Sequence, residues 1–81
     1  MTLRVSEATC KRIRELCWQK RMTEFKLIEL AKIPPSTFKS ILGGRSKNPG
    51  IGNIRKIAGG LGISVREFFD SELFDDLDPE D

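Results

Sequence analysis

Histidine and tyrosine are absent from this chain of 81 residues, cysteine occurs only twice and tryptophan once. Without histidine, the most frequent general base and the most frequent metal-ligating side chain are both missing. No set of paired carboxylates falls in an evident pocket pattern and no cofactor loop is present, so the chain is not expected to be an enzyme. Cys10 and Cys17 lie on what reads as one helix, sharing a face but about 10 Å apart, too far for a disulfide. Two thiols do not close a structural zinc site either. They are expected to be small apolar side chains in a reducing compartment, and no metal or other cofactor is expected. There is no run of eighteen or more apolar residues and no charged-then-apolar leader. No membrane partner is therefore expected, and the cytoplasm is the expected location.

Basic residues are missing from the end of the chain. All 14 lysines and arginines lie in residues 1–66, where only Glu7, Glu15, Glu24 and Glu29 oppose them, whereas residues 67–81 hold eight acids. The formal net charge of +2 thus conceals a body with ten surplus positive charges and a strongly acidic end. Such a body suits a polyphosphate partner, because each Lys or Arg set against a phosphate releases condensed counterions. The bland alternative is that these charges merely solvate helix surfaces. The length allows one domain with one modest core, read as residues 1–70 with an acidic tail at 71–81. A second, sensing module does not fit, so no small-molecule effector is expected.

Apolar spacing predicts an all-α chain of five helices, with no strand pattern, repeat or low-complexity run. Ser6 opens the first, with Cys10, Ile13, Leu16 and Cys17 inward, and it ends near Arg21. Thr23 is a good N-cap for the second, whose stripe is Leu27, Ile28 and Ala31. The third begins at Pro34-Pro35, with the second proline at the first helical position. Its stripe is Phe38, Ile41 and Leu42, and Gly43-Gly44 ends it. Lys32, Ile33 and Pro34 make the turn between these two helices, a length at which helices cross at about 90–120°, with Ile33 plugging the corner. After a loop over 44–52, Asn53 is expected to cap a fourth helix through Ile54, Ile57, Ala58 and Leu61. Ser64 and Glu67 form a capping box for the fifth. Ser71 restarts a short turn through Leu73, Phe74 and Leu77, and residues 78–81 are expected to fray. The pattern Gly59-Gly60-x-Gly62 is read as helix-end chemistry, since no strand precedes it as a dinucleotide site requires. GGRSKNPG lacks the spacing of a phosphate-cradling nucleotide loop.

Several of these pieces, in this order, resemble the helix-turn-helix family of phage repressors and Cro-like (Xre-type) bacterial regulators. They are Ser36-Thr37-Phe38 in the third helix, the basic Asn-Pro loop GGRSKNPG, and Ile57-Ala58-Gly59-Gly60-Leu61-Gly62-Ile63-Ser64 followed by Arg66-Glu67-Phe68-Phe69. The match covers roughly residues 13–69. The resemblance implies a compact five-helix, lambda-repressor-like DNA-binding domain with a short acidic C-terminal tail. It implies a sequence-specific transcriptional regulator of repressor type, acting on double-stranded DNA as a homodimer. Pro35, Ser36, Lys39 and Ser40 then look like the base-contacting residues of a helix at about 35–42 in the major groove; serine can donate or accept, and Lys39 can reach guanine O6 and N7. Thr23, Thr37, Arg45, Ser46, Lys47 and Asn53 are the expected phosphate contacts, which orient without reading sequence. Phe68, Phe69, Leu73, Phe74 and Leu77 are the expected dimer seam; the alternative is that they cover the core and Trp18. Trp18 lies off the inward stripe, roughly 140° from Ile13, so it either packs under the tail or faces a partner.

Three departures from the family pattern stand out. Glu24 replaces a common Gln whose amide touches phosphate. Lys32 occupies a turn position often held by glycine, at a cost of about 1 kcal/mol if the left-handed conformation is kept. Cys17 and Leu42 stand where relatives often carry a buried Arg–Glu pair, which is physically reasonable. The acidic tail, residues 70–81, is expected to restrain nonspecific DNA binding by competing for the basic face. An alternative function is a helix-turn-helix protein-interaction module, such as an antitoxin or accessory factor.

Overall fold

Helix boundaries follow local chemistry at most of the expected places. The computed structural model describes residues 2–44 and 49–79. Over these the chain is all-α, with α1 (Val5–Gln19), α2 (Glu24–Ala31), α3 (Pro35–Leu42), α4 (Ile51–Leu61) and α5 (Val65–Phe68), then a single 3₁₀ turn over Glu72–Phe74. The Thr23 hydroxyl accepts the Lys26 N–H at 3.0 Å and starts α2. Pro35 occupies the first position of α3, where a missing N–H costs nothing. Ser64 accepts from Glu67 N–H at 3.0 Å and Ser71 from Leu73 N–H at 3.2 Å, opening α5 and the 3₁₀ turn.

α1 begins earlier and ends sooner than its spacing predicts. The Arg4 N–H donates to Glu7 Oε1 at 3.1 Å, so Ser6 lies inside the first turn and is buried. Its end is closed by Arg21 at φ 54°, which lets the Met22 N–H reach back to the Cys17 carbonyl at 2.9 Å. α4 also starts ahead of expectation. Gly50, at φ 81°, is its N-cap; Asn53 is within the first turn, and its Nδ2 donates to the Pro49 carbonyl at 2.8 Å. Asn53 therefore braces the entry to α4 rather than capping it.

The core gathers Ile13, Leu16 and Cys17 from α1, Leu27 and Ala31 from α2, Phe38, Ile41 and Leu42 from α3, and Ile54, Ile57, Ala58 and Leu61 from α4, with Ile33 at the corner and Phe68 from α5. α2 packs most extensively on α4. Gly60 permits that approach: a Cβ there would stand 2.9 Å from Leu27 Cδ1 and 3.0 Å from the Ala31 nitrogen. Its role is close helix packing, so of the Gly59-Gly60-x-Gly62 pattern only Gly62, at φ 75° past the end of α4, does the expected helix-end work.

The C-terminal segment is part of the body. Arg12, buried on α1, donates through Nε to the Phe68 carbonyl at 2.7 Å and through Nη2 to the Glu67 carbonyl at 2.8 Å. Its Nη1 meets Glu15 Oε1. A guanidinium so placed serves the carbonyls at the end of α5, and one of the surplus cations is thereby an interior residue. Phe68, Phe69 and Phe74 pack ring on ring at centroid separations of 5.0 to 6.3 Å. Leu77 pairs with Leu3 in an isolated bridge, where the Asp78 N–H donates to the Leu3 carbonyl at 2.8 Å. Asp78 is thus tied down, against the expectation of fraying, and the described tail is fixed beside the start of α1.

Candidate nucleic-acid interface

α3 has a closed back and an open front. Phe38, Ile41 and Leu42 are buried, so the helical repeat turns Pro35, Ser36 and Lys39 outward, all exposed, with Ser40 half-buried at the edge. Ser36, Lys39, Ser40 and Gly43 line one shallow groove. Three of the four expected base-contacting residues thus share one surface, and Pro35 begins the same helix. Behind them the turn is held by Lys32 at φ 58°, in the left-handed region, and by Ile33, which is buried at the corner as expected.

Thr23 is exposed at the head of α2. Its oxygen is occupied by the Lys26 N–H, which leaves the hydroxyl proton to donate outward, beside first-turn amides that carry the positive end of the helix dipole. Glu24 turns toward α1, its Oε1 3.8 Å from Arg14 Nε, so its negative charge is partly offset. The same carboxylate acts on Cys17. Burial first, and Glu24 second, push the Cys17 thiol above its ordinary pKa, which keeps it a protonated, unreactive core group. The Cys10 thiol donates to the Leu42 carbonyl at 3.0 Å and so links α1 to the end of α3.

Thr37 is half-buried in the first turn of α3. Asn53 is half-buried, and one of its amide protons already serves Pro49. Arg45, Ser46 and Lys47 lie outside the described residues. Among the expected seam residues, Phe68 is fully buried within its own core and therefore cannot face a second chain. Leu73, Phe74 and Leu77 are half-buried, while Phe69 is exposed. Phe69 also lines an apolar groove of about 110 Å³ with Val5, Pro49, Ile51 and Ile54, and Ile51 is 65% exposed there. Trp18 does not pack under the tail: it is 82% exposed, and Phe25 is 78% exposed. Sequence reading missed Phe25 and Ile51 because each adjoins a helix start, where spacing assigns a face poorly. Among the described residues, no group of three or more Cys, Asp or Glu side chains is placed to hold a metal ion. None of the described helices is long and apolar enough to cross a membrane.

A small all-α domain with a helix–turn–helix pair and an open third helix is the class that this geometry defines. Within that class, the crystal structure of the prophage Lp1 protein 11 is similar to this chain at 36% sequence identity and a TM-score of 0.81, over 95% of this chain and 100% of that one. The chain belongs to the same family as that phage-type small protein. No family model and no curated protein matches it.

Proposed function

We propose that this chain is a sequence-specific double-stranded DNA-binding regulator of the Cro-like helix-turn-helix type, a non-enzymatic repressor that works by occupying its site. The observation that carries the reading is α3, whose back is buried while Ser36, Lys39 and Ser40 line an open groove at its front. In this reading α3 lies in the major groove with Pro35, Ser36, Lys39 and Ser40 at base edges. Thr23, Thr37, Arg45, Ser46, Lys47 and Asn53 hold phosphates, Asn53 through the amide proton that Pro49 does not use. Short serine hydroxyls and one ammonium give modest direct readout, supplemented by DNA shape.

A single small module holds half a site weakly, so two copies on a two-fold axis are the proposed binding unit. Phe69 is the centre of the proposed seam, with Leu73, Phe74 and Leu77 at its edge. Exposed Phe25 favours a second reading, a helix-turn-helix module that binds a protein partner, such as an antitoxin. Anisotropy of a labelled mixed-sequence duplex, titrated at two salt concentrations, separates the two. DNA binding that weakens steeply with salt is the expected result, and no binding at low ionic strength rejects the DNA reading.

A further inference from the structure

The outward face of α1 carries a stripe that the groove on α3 does not use. Lys11, Arg14 and Trp18 recur at intervals of three and four residues and so share one face, and all three are exposed. Arg14 reaches toward Glu24 in the first turn of α2, which joins this stripe to the head of that helix. Past Trp18 the chain turns at Arg21. Trp18, Gln19, Arg21 and Thr23 line one open cleft of about 510 Å³, with Cys17 and Met22 at its base.

We propose that this cleft and the α1 stripe grip the sugar–phosphate backbone of duplex DNA beside the groove entered by α3, with Arg21 on a phosphate and the Trp18 ring against deoxyribose. The inference rests on the DNA-binding reading above. Charge identifies the occupant. Lys11, Arg14, Lys20 and Arg21 are exposed bases on this segment, and among the described residues only Arg14 has an acidic partner. One uncompensated cation, Arg21, in the cleft with the aromatic face of Trp18, and two more, Lys11 and Lys20, exposed on the same segment, match an anionic chain that also offers apolar sugar surface, which is the combination found along a nucleic-acid backbone. Thr23 ties the cleft to the proposed phosphate contacts, because it lines the same cleft as Trp18. The backbone at Arg21 points the same way. At φ 54° glycine is the unstrained residue, yet the position holds a guanidinium.

Trp18 is the sole tryptophan and tyrosine is absent, so intrinsic emission reports this cleft alone. The full chain is titrated with a labelled mixed-sequence duplex at low salt while anisotropy and acrylamide quenching of Trp18 are followed together. Saturation with duplex is expected to shield Trp18 and at least halve its quenching, about a twofold change for a ring that loses one open face. Trp18→Ala is expected to weaken binding by about threefold or more. Arg21→Gly is expected to raise the melting temperature, yet weaken binding and lower the salt slope by about one. A rise in anisotropy with Trp18 still fully quenched, and with both variants binding like the parent, overturns this inference and leaves the role of α3 standing. No rise in anisotropy overturns both.

Discussion

α3 and the segment from Ser64 to Asp78 are both amphipathic, but the fold depends on them differently. α3 inserts Phe38, Ile41 and Leu42 into the core, while the side chains of Ser36, Lys39 and Ser40 make no hydrogen bond or ion pair among the described residues. The C-terminal segment is held on several sides: by Arg12 at the Glu67 and Phe68 carbonyls, by ring contacts of Phe74 and by the bridge from Leu77 to Leu3. Its acids project from a structural strap, and the front of α3 projects from nothing that needs it. A face without structural duty is where sequence is free to serve recognition, whereas a strap is where substitution shows first as lost stability.

The largest effect is expected at the strap. Arg12→Met keeps the aliphatic stem but leaves two carbonyls and a carboxylate without their donor, and is expected to destabilise by about 2–4 kcal/mol in chemical denaturation. A loss below 0.5 kcal/mol, on the order of an ordinary surface change, would break the contrast with α3. Lys32→Gly acts in the opposite direction, relieving the left-handed φ of 58° at the turn before α3. It is expected to stabilise by about 1 kcal/mol, read as a higher denaturation midpoint at constant slope. The smallest effect is a pH dependence. An unfolded thiol loses its proton near about pH 8.5, whereas burial and Glu24 hold the folded Cys17 thiol above its ordinary value. Above the unfolded pKa the folded state binds more protons than the unfolded one, so stability falls as pH rises until the folded pKa is passed. Cys17→Ala is expected to flatten that decline in denaturation midpoints taken across alkaline pH.

The helix–turn–helix pair was legible in sequence because three of its four boundaries carry their own chemical mark: Thr23 as a cap, Pro35 at a first turn, Gly43 after the last apolar residue. The start of α4 was not, because Asn53 looks like a cap while the residue that turns the chain, Gly50, leaves only an unspecific glycine in a loop. Gly60 was read as helix-end chemistry and Arg12 was only counted among the surplus cations, for a shared reason. One is needed where two helices approach and the other where a distant carbonyl lies, and neither neighbour is close in sequence. The bridge from Leu3 to Leu77 joins opposite ends of the chain, so no local pattern announces it. Trp18 was correctly placed off the inward stripe, but only its exposure in the folded chain settles that the tail does not cover it. The direction of the α3 front followed from spacing alone, since three buried residues on a short helix fix what faces outward.

Selection of bound oligonucleotides from a random duplex pool, run in parallel with the parent chain and Lys39→Ala, tests the role of α3 most directly. The account predicts that the parent enriches a two-fold symmetric sequence with half-sites about one helical turn apart. Lys39→Ala, equally stable to within about 0.5 kcal/mol, is expected to enrich a different base where the ammonium reached. No enrichment by the parent, or the same selected sequence from both proteins, would contradict it.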